Sequence, residues 1–219
     1  MARLRRLTIP GIPYHVTQRG NRRQPIFFTD EDRQTYLALL REQASRWDLE
    51  VWAYCLMTNH VHLVVMPRGG ESLTRAIGEA HRRYTRHVNF RQGWRGYLFQ
   101  GRFGSVAMDE SHLVAAVRYV ERNPVIAGMV ERAEAYPWSS AHAHVTGSSD
   151  ALLTNHFLKE RIADWAEYLR DARDDDVGER LERHGSVGRP LGSDVFLQEL
   201  EQQTGRRLRR GRPGQRHVQ

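Results

Sequence analysis

The chain begins with a short alternating stretch, Tyr14 to Arg19, that follows the turn-forming Pro10-Gly11-Ile12-Pro13 and reads as a β-strand. Thr29 followed by Asp32 forms a capping-box pattern. Behind it, Tyr36, Leu37, Leu39, Leu40, Ala44 and Trp47 recur at helical spacing. Leu49 to Met57 and His60 to Met66 are two further strands joined by a tight turn at Thr58-Asn59, a hairpin. A second helix is predicted from Leu73 to about Val88, with Leu73, Ile77, Ala80, Tyr84 and Val88 on its apolar face and Arg75, Arg82 and Arg86 on the other side.

Gly93 to Phe103 is rich in glycine and aromatic residues and irregular, and Gly104 to Met108 predicts a fourth strand. A third helix, capped by Asp109 or Ser111, is expected to stop at Asn123-Pro124, because proline disfavours helix in the residue before it. Helices interleaved with strands, two of them in a hairpin, indicate an α+β fold. Beyond about Ala141, Leu152 to Leu200 reads as short charged helices broken by Gly185, Gly188, Pro190 and Gly192. Gly205 to Gln219 carries six arginines and no acid, and is expected to be a disordered basic tail. The expected division is 1–146, a helical extension over 147–204, and the tail over 205–219.

The 219 residues are 40% hydrophobic and 27% charged, with a net charge of +7. No apolar run approaches the roughly 20 residues that cross a bilayer, and the N-terminus lacks the pattern of a signal peptide. Cys55 is the single cysteine, which excludes an intrachain disulfide and a cysteine zinc finger and fits a reducing, cytoplasmic setting. Lys159 is the only lysine among 33 basic residues. Arginine forks onto phosphate and stacks on bases, so this bias points to nucleic acid, although arginine-favouring codon usage would produce it too.

His60 and His62 stand at i and i+2 on a strand and therefore share a face, half of a metal site. Eleven histidines produce roughly half of one such pair by chance, so two polar residues on an open sheet face is the competing reading. His142 and His144 have the same spacing but follow a helix start, where i and i+2 diverge by about 200° and share no ion. Tyr119 and Asn123 share a helix face at i and i+4. A phenol with a pKa near 10 attacks phosphorus only with help, and a cation on the phosphate gives it; alternatively, Tyr119 packs its ring and Asn123 ends the helix. Tyr84, the rival tyrosine, falls on an apolar stripe. The chain has no phosphate-binding Gly-x-x-x-x-Gly-Lys loop, so no nucleotide cofactor is expected.

The run Met57 to Val65 around His60 and His62, followed by Tyr119-Val-Glu-Arg-Asn123-Pro124-Val125-Ile126-Ala127-Gly128, resembles the single-tyrosine transposases of the His-hydrophobic-His endonuclease superfamily. Gly11 to Asn21, Phe99 to Phe103 and Tyr136 to Ser140 add to the resemblance, which spans about residues 8–146 and is nearest to the REP-associated branch of the IS200/IS605 relatives.

The resemblance implies a ferredoxin-like antiparallel sheet with helices packed on one face. It implies Mg2+ or Mn2+ on His60 and His62, with Asn123 standing where the insertion-sequence enzymes have a glutamine. It further implies Tyr119 as the nucleophile that cuts single-stranded DNA to a 5′-phosphotyrosine, substrates that are hairpins of repetitive palindromes, and no obligate protein partner, with a monomer expected and a dimer like that of the insertion-sequence relatives as the alternative. A DNA-binding protein or repressor with the same fold and no turnover is the alternative. Expected DNA contacts are Arg75, Arg82, Arg86 and Arg102, with Arg210 and Arg212 in Arg210-Gly211-Arg212-Pro213, which resembles an AT-hook core. Gly188-Arg189-Pro190 is a second, poorer copy of that element.

Overall fold

The computed structural model describes residues 6–154, 156–171 and 176–209. Four strands form one antiparallel sheet: β1 (Tyr14–Arg19), β2 (Leu49–Met57), β3 (His60–Pro67) and β4 (Gly104–Ala107), in the order β2-β3-β1-β4. The first two helices, α1 (Asp30–Arg46) and α2 (Ser72–Gln92), are the crossovers between β1 and β2 and between β3 and β4. This order with these crossovers is the ferredoxin-like arrangement.

Alternation along β3 divides the molecule. Val61, Leu63 and Val65 point into a core with Tyr36, Leu40, Ile77, Ala80 and Tyr84 of α1 and α2. His60 and His62 point the other way, on the side where Val64 meets α3 (Glu110–Ile126). The expectation of helices on one face therefore holds only for the two crossover helices. Helix α3 covers the opposite face because its stripe of Leu113, Ala116, Val117 and Val120 is fully apolar and packs on Ala53, Cys55 and Val64. Burying a side chain of this size contributes about 1.5–3 kcal/mol, which makes that second face a core in its own right.

The start of α1 follows the capping box: Thr29 Oγ1 accepts from the Asp32 amide, and Asp32 accepts in return from the Thr29 amide. Helix α3 runs past the expected stop. Pro124 sits inside its last turn and removes only one backbone donor, and Gly128, with φ +67°, terminates the helix instead.

The C-terminal part returns to the sheet. It contains α4 (Ala141–Thr146), α5 (His156–Arg161), α6 (Trp165–Arg170), α7 (Asp176–Val187) and α8 (Asp194–Thr204). Leu153 bridges to Val51 beside a bulge in β2, and Leu191 bridges to Met108 beyond β4, so the extension is stitched to both edges. Gly185 does not break α7. Together with Gly178, seven residues earlier on the same face, it lets α7 lie directly on α3, β1 and β4. Gly205 to Arg209 is not a free tail: Leu208 is buried, and Arg209 pairs with Glu201. The second Gly-Arg-Pro element is likewise built into the fold, since Arg189 donates to the Leu208 carbonyl and Pro190 is buried. Arg210 and Arg212 lie outside the described residues. Among the described residues, no helix is long and apolar enough to cross a membrane.

Candidate active site

Three imidazoles meet on the α3 face of the sheet. Thr17 pairs with His62 in the β1–β3 register, and His15 lies two residues along β1 on the same face. His15 Nε2 is 3.0 Å from His62 Nδ1, and both rings are buried. The ring of His60 stands across that of His62, with centroids 4.8 Å apart.

With His62 Nδ1 donating to His15 Nε2, two nitrogen lone pairs remain. Asn59 Oδ1 lies 2.7 Å from His60 Nδ1, so that nitrogen carries the proton and Nε2 is the bare atom. His62 Nε2 is buried without a hydrogen-bond partner. An orphaned buried imidazole nitrogen costs about 1–3 kcal/mol and calls for an occupant. Burial holds both rings in the neutral, ligating form: it pushes His60 down to about 4, with nearby Arg19 adding to the effect, and drives His62 well below the usual range. The donor set fits a divalent cation. Among the described residues no cluster of three or more His, Cys, Asp or Glu is arranged to hold a metal ion, so two imidazoles would leave the remaining positions to amide, water or phosphate oxygens.

Tyr119 is brought to this pair by α3. Its ring lies edge-on to His62, with centroids 5.5 Å apart and planes at 89°, and 6.2 Å from His15. Burial raises its phenol pKa, the Glu182 carboxylate raises it further, and the Asn123 amide and Arg19 act against them. Asn123 is buried one turn along, its amide nitrogen donating to the Tyr119 carbonyl at 3.0 Å, which leaves Oδ1 as its only available ligand atom. Gly178 of α7 lies on the outer face of the Tyr119 ring, so closely that a Cβ there would fall 2.4 Å from Cε2.

A cavity of about 470 Å3 opens beside the imidazoles, lined by His60, His62, Arg19, Arg23, Arg102 and Glu182 among others. Tyr119 and Asn123 do not line it. Of the arginines expected to contact DNA, Arg102 is at this cavity. Arg75, Arg82 and Arg86 are on α2, on the other side of the sheet, where Arg75 pairs with Glu71 and Arg82 is held by Glu79. The rival Tyr84 is fully buried and donates to the Ile26 carbonyl. His142 is exposed, whereas His144 is buried against Glu121 and Trp165, so that pair does diverge.

The sequence reading missed His15, Arg19, Arg23 and Glu182. The alternation of β1 carries the signal for His15 and Arg19, since both share the face of Thr17, but only the strand register shows that this is the face of His62.

The model of the family described as IS200-like transposases matches residues 8–123. Among solved structures, one described as a REP-associated tyrosine transposase bound to a REP hairpin is 21% identical with a TM-score of 0.58, covering 71% of this chain and 93% of its own. Another, a crystal structure described as a transposase from Deinococcus radiodurans R1, is 21% identical with a TM-score of 0.38, covering 55% of this chain and 96% of its own. No curated protein matches the chain.

Proposed function

The chain belongs to the family of IS200-like transposases, and from that premise we propose that it cuts and rejoins single-stranded DNA at palindromic hairpins, with Tyr119 as the nucleophile. The observation that carries this reading is the perpendicular contact of Tyr119 with His62, whose Nε2 is the one imidazole nitrogen left buried and unpartnered among the described residues. The hairpin as substrate comes from the structural neighbour, which is described as bound to one.

In the proposed step, the Tyr119 phenol gives up its proton and its oxygen bonds to the scissile phosphorus. The phosphorus–O3′ bond breaks, and the departing 3′-oxygen takes up a proton. The product is a 5′-phosphotyrosine with a free 3′-hydroxyl, and the reverse attack by a 3′-hydroxyl of another strand rejoins DNA without ATP. His60 and His62, with Asn123 through Oδ1, would hold Mg2+ or Mn2+, which when bound supplies Lewis-acid polarisation of the phosphate. Imidazole ligands favour Mn2+ over Mg2+. Arg19, Arg23 and Arg102 line the cavity where the strand's phosphates would lie.

The test incubates single-stranded hairpins from repeats flanking the gene with the protein and Mn2+ or Mg2+, and scores adducts that survive denaturation. An adduct with the wild type and none with Tyr119→Phe is expected. Equal adducts in both would move the chemistry to another residue. Tight hairpin binding with no adduct under any metal would leave a DNA-binding protein or repressor of the same fold.

A further inference from the structure

The cavity beside His60 continues into a surface with an unusual charge balance. Residues 1–29 and 80–108 contain no aspartate or glutamate at all, and they supply most of its rim. Arg22 and Arg23 are exposed and held at φ +54° and +61°, a left-handed conformation that costs an L-residue on the order of 1 kcal/mol and persists only when the surroundings enforce it. The enforcement is visible. Gly20 bridges to Phe99, and the Asn21 amide donates to the Leu98 carbonyl at 2.8 Å. Gly20 must be glycine, because a Cβ would sit 2.2 Å from the Gln24 carbonyl oxygen. This antiparallel step carries the chain on to Arg22 on one side and Tyr97 on the other.

Tyr97 is 86% exposed, and its hydroxyl bonds to no other described residue. Trp94 is 43% exposed and anchored edge-on to Phe28 at 5.6 Å, which steadies the loop that presents Tyr97. Arg95, between them, is exposed. Three residues after Tyr97 comes Gln100, which lines the cavity and whose amide donates to the Arg19 carbonyl. An exposed aromatic ring on a loop held by Trp94, set among exposed arginines and joined to an arginine-lined cavity, has the chemistry of a base-stacking platform.

We propose that Tyr97, with Trp94, stacks unpaired bases of the single strand as it enters the cavity, while Arg22 and Arg95 hold the adjoining phosphates. The platform rests on the strand-cutting reading for its biological setting but not for its binding chemistry, so the two fail separately.

The probe is fluorescently labelled dT12, measured by anisotropy against a blunt 12-base-pair duplex over a range of salt concentrations, with the full chain. Tyr97→Ala is expected to weaken dT12 binding about five- to hundredfold with an unchanged salt slope and little effect on the duplex. Tyr97→Phe is expected to bind as the wild type does. Arg22→Ala should lower the dT12 salt slope by about 0.7, the value for one phosphate on a single strand. Unchanged dT12 affinity in Tyr97→Ala, an equal loss on duplex, or no dT12 binding by the wild type would each overturn the platform. Tyr97 is solvent-exposed, so its substitution leaves the fold intact. Loss of dT12 binding in Tyr97→Ala alongside an absence of adducts on any hairpin would keep the platform and sink the strand-cutting reading, and the opposite pair of results would do the reverse.

Discussion

His15 Nε2 and His62 Nδ1 face each other at 3.0 Å across the β1–β3 pairing, buried from solvent. With His62 Nδ1 as donor, His15 fixes the tautomer that leaves the His62 Nε2 lone pair free. His15→Phe removes the acceptor and lets His62 populate the other tautomer. The expected result is a mixed His62 tautomer in the metal-free protein by 15N NMR, and Mn2+ affinity reduced about 10- to 100-fold. His15→Gln, whose amide oxygen accepts, should recover part of that affinity. Wild-type Mn2+ binding by His15→Phe would show that the contact is packing alone.

Asp32 links α1 to α2. It accepts from the Phe28 and Thr29 amides, and its carboxylate meets the Arg91 guanidinium although it is itself fully buried. Burial alone would raise its pKa, but the Arg91 hydrogen bonds and the two amides outweigh this and hold it below the ordinary 3.8. A carboxylate depressed in the folded state stabilises fully above its unfolded pKa, and that contribution disappears as pH falls through the lower folded value. Asp32→Asn is expected to cost about 2–4 kcal/mol at pH 7, from the lost charge-assisted hydrogen bonds to Arg91 and to the two amides. Urea midpoints of the two proteins should converge as pH drops below the ordinary carboxylate range. A gap independent of pH would show that charge is not what Asp32 contributes.

Gly178→Ala sets two effects against each other. Alanine gains about 1 kcal/mol in helix propensity, whereas a Cβ 2.4 Å from Tyr119 Cε2 forces overpacking that costs about 1–3 kcal/mol. The Tyr119 ring has His62 and His15 on its other sides, so it has little room to yield and the clash is expected to win. Amide hydrogen exchange should show α7, Asp176–Val187, opening more readily while the α1–α2 layer is unchanged. Slower exchange in α7 would mean that the ring moves aside.

The parts of this molecule that a local pattern determines were legible in the sequence. The Thr29–Asp32 box, the β2–β3 hairpin and the shared face of His60 and His62 depend on neighbours within a few residues. What depended on chains meeting was not. The stop predicted at Pro124 failed because a proline in a final turn removes a single donor, and packing of α3 on the sheet outweighs that. Gly185 read as a helix breaker and Gly178 was not singled out, since sequence alone cannot show that the missing side chain of Gly178 makes room for the Tyr119 ring. Arg75, Arg82 and Arg86 shared the exposed side of a helix, but which layer of the sheet that helix would join was not encoded locally.

Among the described residues, Glu182 is the one acidic side chain lining the cavity. It lies 3.6 Å from Arg19 and is among the charges acting on Tyr119, where it disfavours the phenolate. Glu182→Gln removes a negative neighbour without changing the shape of α7, so the Tyr119 phenol should ionise at lower pH than in the wild type. It also frees Arg19 to face an incoming phosphate. Adduct formation with hairpin DNA is therefore expected to begin rising at lower pH in the variant, and ultraviolet titration of Glu182→Gln against Glu182→Gln/Tyr119→Phe should assign the shifted phenol to Tyr119. An unshifted phenol would mean that the Glu182 charge is not felt at Tyr119. Salt tests this further: the variant leaves Arg19 without its counter-charge, so its Tyr119 titration should move up with salt as that cation is screened, whereas the opposed charges of Arg19 and Glu182 should hold the wild-type titration nearly fixed.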